Sequence, residues 1–258
     1  MIGCRTGLRT LTALLVACLL AIPGMAGSED DQKFASRTPA LDELKFGLGA
    51  MEAAEYEQAF VHFERAKEYA TNSEIRFQAD FGLATAATAL GRPSEAEAAF
   101  ERAIAARPDH VEVLYSYGLL LKQTNRPDRA ASFFARAAVN DPTFVEAYVE
   151  LGVVYARLGR HADSAAACQR ALAVDQESAG ALLCLGVASY HLGQYAGAQQ
   201  LFEAVLETDI NNARARYGLG LSRLYQEDRN GAIQEYAVLK ELDAELARDL
   251  YQAIFPAQ

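Results

Sequence analysis

Small residues recur along this chain with a fixed beat. Ala96, Ala130, Ser164, Ala198 and Ala232 stand 34 residues apart, and Ala59 precedes them by one step of 37. Four residues after each comes a bulkier partner: Phe63, Phe100, Phe134, Cys168, Phe202 and Tyr236. Three further on stand Ala66, Ala103, Ala137, Ala171, Val205 and Leu239. Offsets of four and seven lie on one helical face, so each set predicts a helix with a single apolar stripe. Upstream of each stripe comes a second apolar set, such as Leu114, Tyr117-Gly118 and Leu121, or Tyr148, Leu151-Gly152 and Tyr155. Turn residues separate the two sets: Gly91-Arg92-Pro93-Ser94, Asn125-Arg126-Pro127-Asp128, Gly159, Gly193 and the run Glu227 to Asn230. The pattern predicts helical hairpins that each present the same packing surface to the next.

Six hairpins fit residues 40–243, and Ala244 to Phe255 fits a last amphipathic helix covering the open end. Ser94 or its neighbour is expected to cap a helix. The glycines of the first helices, Gly118, Gly152, Gly186 and Gly220, are expected to face the second-helix alanines, where a larger side chain would part the axes. The long step from Ala59 to Ala96 places about three extra residues around Thr71 to Glu74.

The first 26 residues follow other rules. Arg5 and Arg9 precede an apolar run from Thr10 to Ile22, then Pro23 and the small residues up to Ala26. That is the layout of a secretory signal cut after Ala26. The alternative is Leu15-Val16-Ala17-Cys18, which is similar to a bacterial lipobox and would make Cys18 a lipid anchor. Either route takes the chain beyond an inner membrane, to the periplasm or the periplasmic face of an outer membrane. Residues 27–39 read as a flexible polar lead-in, and residues 244–258 as capping helix and tail. The mature chain has no integral membrane segment.

Charge narrows the partners. The full chain of 258 residues carries a net charge of −10, and loss of Arg5 and Arg9 takes it to −12. Such a body repels nucleic acid phosphates and anionic headgroups.

The hairpins resemble the tetratricopeptide repeat. That motif joins a bulky residue, a leucine-glycine pair and a tyrosine in the first helix to an alanine-aromatic-alanine series in the second, with a proline near the boundary. Tyr148, Leu151, Gly152 and Tyr155 carry the first-helix part most fully; Pro108 and Pro142 mark two boundaries. The chain departs from the motif in lacking tryptophan, in Ala84 for a glycine, and in Ser164 and Cys168 for an alanine and an aromatic. The resemblance implies an all-α, right-handed superhelical solenoid of six hairpins whose inner groove binds peptides or partner domains.

Projected onto that architecture, the groove would be lined by Leu44, Phe81, Tyr115, Leu119, Val149, Val153, Leu183, Val187, Tyr190, Tyr217 and Leu221. The rows are apolar and aromatic and lack the lysines and asparagines of carboxylate-gripping members. The alternative for the same residues is packing against one another. Tyrosines are sensible anchors, because a ring with a polar tip tolerates both water and burial.

The remaining candidates carry no chemistry. His62, His110, His161 and His191 are spread over four hairpins without metal-ligand spacing. Cys168 and Cys184 lie in adjacent hairpins and are expected as two separate buried thiols, because their side chains project differently. No nucleophile–histidine–acid order or phosphate loop appears, so neither catalysis nor a cofactor is expected. The expected function is a non-catalytic adaptor of a bacterial envelope assembly or secretion process, and the alternative is a module binding glycan or cell-wall polymer.

Overall fold

A computed structural model describes residues 39–256, and every regular element among them is an α-helix. The signal, the lipobox and nearly all of the polar lead-in lie outside the described residues. Two compact units divide the chain at Asn140.

The first unit holds α1 (Pro39–Glu52), α2 (Tyr56–Glu68), α3 (Ser73–Ala89), α4 (Pro93–Ala106), α5 (Val111–Gln123) and α6 (Pro127–Asn140). The second holds α7 (Val145–Arg157), α8 (His161–Val174), α9 (Ala179–His191), α10 (Tyr195–Thr208), α11 (Ala213–Tyr225), α12 (Arg229–Leu242) and α13 (Ala244–Ile254). In each unit the helices pair as successive hairpins, and the first helix of one hairpin also packs on the first helix of the next. The all-helical repeat fold expected from the sequence is what forms.

Turn chemistry explains the regularity. Gly91, Asn125, Gly159, Gly193 and Glu227 recur at intervals of 34, and all have positive φ, between 58° and 76°. The left-handed conformation suits glycine and is tolerated by asparagine. Glu227 and Ala54, which closes the first hairpin at φ 60°, adopt it against their intrinsic preference. Helix starts vary more. Asn72 accepts the Ile75 N–H at 2.8 Å, and Asp243 accepts those of Glu245 and Leu246, both at 3.0 Å. At the turn after Gly91 the expected serine cap does not form: Pro93 opens α4 and Ser94 lies inside the helix. The extra residues near Thr71 are absorbed as an additional turn at the start of α3, which has 17 residues against 13 in α5.

One packing expectation needs correcting. Gly118 and Gly186 face second-helix aromatics, not the alanines, while Gly152 meets the Cys168 and Cys184 sulfurs and Gly220 meets Leu250. A Cβ at Gly118 would sit 2.7 Å from the Phe134 ring, and one at Gly186 would sit 2.7 Å from Phe202. Phe202 is in turn seated on Gly218 of the following hairpin, as Phe63 is on Gly82. Phe63, between Gly47 and Gly82, and Phe202, between Gly186 and Gly218, are therefore each clamped between glycines of two neighbouring hairpins. Truncating a fully buried ring such as Phe100 or Phe134 would cost about 3–5 kcal/mol.

The cysteines also differ from expectation. Cys168 and Cys184 form a disulfide with their Cα atoms 5.9 Å apart, a separation that suits the bond. Cys168 stands in the register of the clamped rings and Cys184 in that of the glycine beneath them, so the side chains converge for the same reason Phe202 and Gly218 do.

Candidate functional site

The inner-row candidates part company between the two units. In the first, Leu44 and Phe81 are fully buried, Tyr115 is 4 % exposed, and Leu119 is half-buried. Tyr115 meets the Phe134 ring with centroids 5.6 Å apart, and Phe81 meets Phe100 at 6.3 Å. Leu44, Phe81 and Tyr115 thus serve as core, not as open groove. From Phe77 to Ala87 every residue of α3 is buried.

In the second unit, Val153 is exposed, and Val149, Leu183, Val187, Tyr190, Tyr217 and Leu221 are half-buried. Apart from Val149, these residues meet around one cavity of about 570 Å³. Val153 and Ala156 come from α7; Gly180, Leu183, Cys184, Val187, Tyr190 and His191 from α9; Arg214, Tyr217, Gly218 and Leu221 from α11. Phe202 of α10 reaches in between the glycines that clamp it. Three first helices thus supply the walls, and the bare backbone at Gly180 leaves room a side chain would fill, while that at Gly218 is covered by the Phe202 ring.

Polar groups are few and sit among rings. Tyr190 lies 5.6 Å from both Tyr195 and Tyr225, ring centre to ring centre, and Tyr195 stacks on Tyr225 at 4.9 Å. Burial, followed by a hydrogen bond to Tyr225, pushes the Tyr190 phenol above its ordinary pKa. Burial and then Asp249 do the same to Tyr217. Both hydroxyls therefore stay protonated and able to donate. His191 stacks on His161 at 4.4 Å, with the planes 13° apart. Burial first, and then His161, lower its pKa, so the ring facing the cavity is neutral at pH 7. The result is an apolar recess with donor tips and a cation, Arg214. Among the described residues no cluster of three or more metal-ligating side chains occurs, and no helix is long and apolar enough to cross a membrane.

A second hollow, of about 630 Å³, lies in the first unit and has another character. Glu64, Lys67, Glu68, Arg76, Glu95 and Arg102 help to line it. Beside it Lys67 and Arg102 hold the buried Asp80 at 2.8 and 2.7 Å. Charges of both signs already neutralise one another there.

The pocket residues that periodicity missed are Gly180, Cys184, Phe202, Arg214 and Gly218. Their signal was available: Phe202 and Gly218 follow Cys168 and Cys184 by 34 residues, and Arg214 follows Gly180 by the same interval.

Comparison with known proteins meets the geometry here. A tetratricopeptide-repeat family model matches residues 81–143 and 141–181, and a second matches 178–208. The chain is a tetratricopeptide-repeat protein. Its fold is similar to that of pilF from Pseudomonas aeruginosa, at 23% identity over 83% of this chain and 97% of that one, with a TM-score of 0.70. PilW, described as a widely conserved type IV pilus biogenesis factor, is 20% identical over 84% of this chain and 100% of its own, with a TM-score of 0.70. YrrB, described as a TPR protein with an unusual peptide-binding site, is 20% identical over 74% and 97%, with a TM-score of 0.62. At these identities the likeness concerns the fold alone. No curated protein sequence matches the chain.

Proposed function

We propose that this tetratricopeptide-repeat protein is a non-catalytic interaction scaffold that receives an apolar segment of a protein partner, helix or extended peptide, between α7, α9 and α11. The observation that carries the reading is the pocket of the second unit: apolar walls, half-buried leucine and valine, and tyrosines whose tips can hydrogen-bond a backbone. Its setting in this proposal is a bacterial envelope, in an assembly or secretion process at the periplasm or the periplasmic face of an outer membrane, with cleavage after Ala26 or a lipid on Cys18. Three things support that setting: the signal-like first 26 residues, a disulfide of the kind that persists in oxidising compartments, and the folds of pilF and PilW.

Crosslinking in intact envelopes tests it. A defined neighbour should be captured by the wild type and lost with Tyr217→Ala plus Leu221→Ala, while circular dichroism stays helical. Equal capture by that variant defeats the pocket as the binding surface. A second reading, stacking of a neutral glycan, has its own observation in the Tyr195–Tyr225 stack, with Tyr225 56 % exposed. Saturable binding of neutral glycan fragments, abolished by Tyr225→Ala, would favour it.

A further inference from the structure

We infer that the Cys168–Cys184 bridge is a covalent latch on the pocket, closed by oxidation and opened by reduction. The inference rests on the pocket being the partner site. Register carries it. The clamped ring Phe202 sits on Gly218, and Phe63 sits on Gly82, where a Cβ would stand 2.6 Å from the ring. Thirty-four residues before Phe202 and Gly218 the same two positions are Cys168 and Cys184. A covalent bond thus stands where the fold elsewhere seats a ring on a glycine.

The two devices respond differently to chemistry. A ring on a glycine holds its hairpins at any potential. Two thiols are smaller than that pair in sum, and once the bond is cut they become non-bonded neighbours that must move apart. Room on the α7 side is short, because both sulfurs lie where a Cβ of Gly152 would stand. The displacement therefore falls on α9. That helix carries Cys184 together with Leu183, Val187 and Tyr190, all of them pocket walls. Cys168 is fully buried and Cys184 is 5 % exposed, so exchange starts from the pocket side, at Cys184.

Closing the latch joins the two Sγ atoms and passes two electrons and two protons to a disulfide-bearing oxidant, which leaves as a dithiol. Opening runs the same exchange backward with a dithiol reductant.

The full chain, purified from an oxidising compartment, provides the test, with the fluorescent apolar probe 1-anilinonaphthalene-8-sulfonate as reporter. Untreated protein should show Cys168 and Cys184 blocked to thiol labelling, by peptide mapping, and saturable probe binding that Tyr217→Ala weakens. Dithiothreitol should weaken binding at least tenfold and speed amide exchange in α9. Cys168→Phe combined with Cys184→Gly, which restores the ring-on-glycine pair, should bind as the oxidised protein does and ignore the reductant. Free thiols mapped to Cys168 and Cys184 in untreated protein, no saturable probe binding, or equal binding before and after reduction would each overturn the latch. Envelope crosslinking separates it from the function proposed above: a partner captured equally in both redox states removes the latch alone. A responsive pocket that captures no partner removes the scaffold reading alone.

Discussion

Tyr115 and Tyr217 occupy the same place in the repeat, three periods of 34 apart, yet one is core and the other is half in solvent. The first unit buries α3 along its length and ties its surface with ion pairs. Tyr117 donates to Glu97 at 2.8 Å, while Arg126 and Arg129 hold the same carboxylate at 2.8 and 3.0 Å. The second unit has fewer bulky residues under its inner row and leaves a recess. Position within a repeat therefore assigns a residue to a face, but neighbours decide whether that face is available. One unit has packed its inner row into its core, and the other leaves a recess along it.

The largest test of this contrast is the tyrosine pair itself. Tyr115→Ala should cost about 3–5 kcal/mol in urea unfolding, as a buried ring does. Tyr217→Ala should cost on the order of 1 kcal/mol, because its ring is only half removed from water. Equal losses would erase the distinction between the units.

Next comes the carboxylate of the first unit. Burial alone would raise the Glu97 pKa, but Tyr117, Arg126 and Arg129 together outweigh it and hold it below the ordinary value. A lowered folded pKa stabilises above the unfolded glutamate pKa, and that contribution is lost as pH falls through the folded value. Glu97→Gln should destabilise by about 1–3 kcal/mol at neutral pH and flatten the acid side of the stability profile. An unchanged acid limb would mean that other carboxylates carry it.

A smaller effect lies in the turns. Ala54→Gly and Glu227→Gly should each stabilise by roughly 0.5–1 kcal/mol, since both residues hold a left-handed conformation. Gly159→Ala should lose a similar amount, measurable as a shift in thermal midpoint.

The smallest belongs to the second unit. His191 has a lowered pKa, so the unfolded chain takes up its proton first as pH falls. Stability should decline as pH drops through the ordinary imidazole value and level off below the folded one. His161→Phe should raise the His191 pKa in a proton NMR titration, shrinking that decline. No change would mean that burial alone lowers it.

Much of this fold was legible because it repeats. Ala96, Phe100 and Ala103 define a helix once, and four further copies at the same spacing exclude chance. The site was half legible. Register set Val153, Leu183, Val187, Tyr190, Tyr217 and Leu221 on one inner face, and they line the recess, because an inner face is a matter of helical phase. It failed at Leu44, Phe81 and Tyr115, because burial depends on what lies opposite, and a single helix does not encode that. The disulfide was missed for a related reason. Cys168 and Cys184 were judged by their own helices, while their approach is set by the clamp that brings Phe202 down on Gly218.

Solenoids change length over generations by copying or dropping whole hairpins, since each touches only its neighbours. The bridge makes this chain uneven in that respect. One cysteine belongs to the hairpin of α7 and α8 and the other to that of α9 and α10, so duplicating either alone would leave an odd thiol seeking a mate on another molecule. Copying any other described hairpin would add no cysteine at all. Lengthening of this scaffold is thereby steered away from its centre and toward its ends.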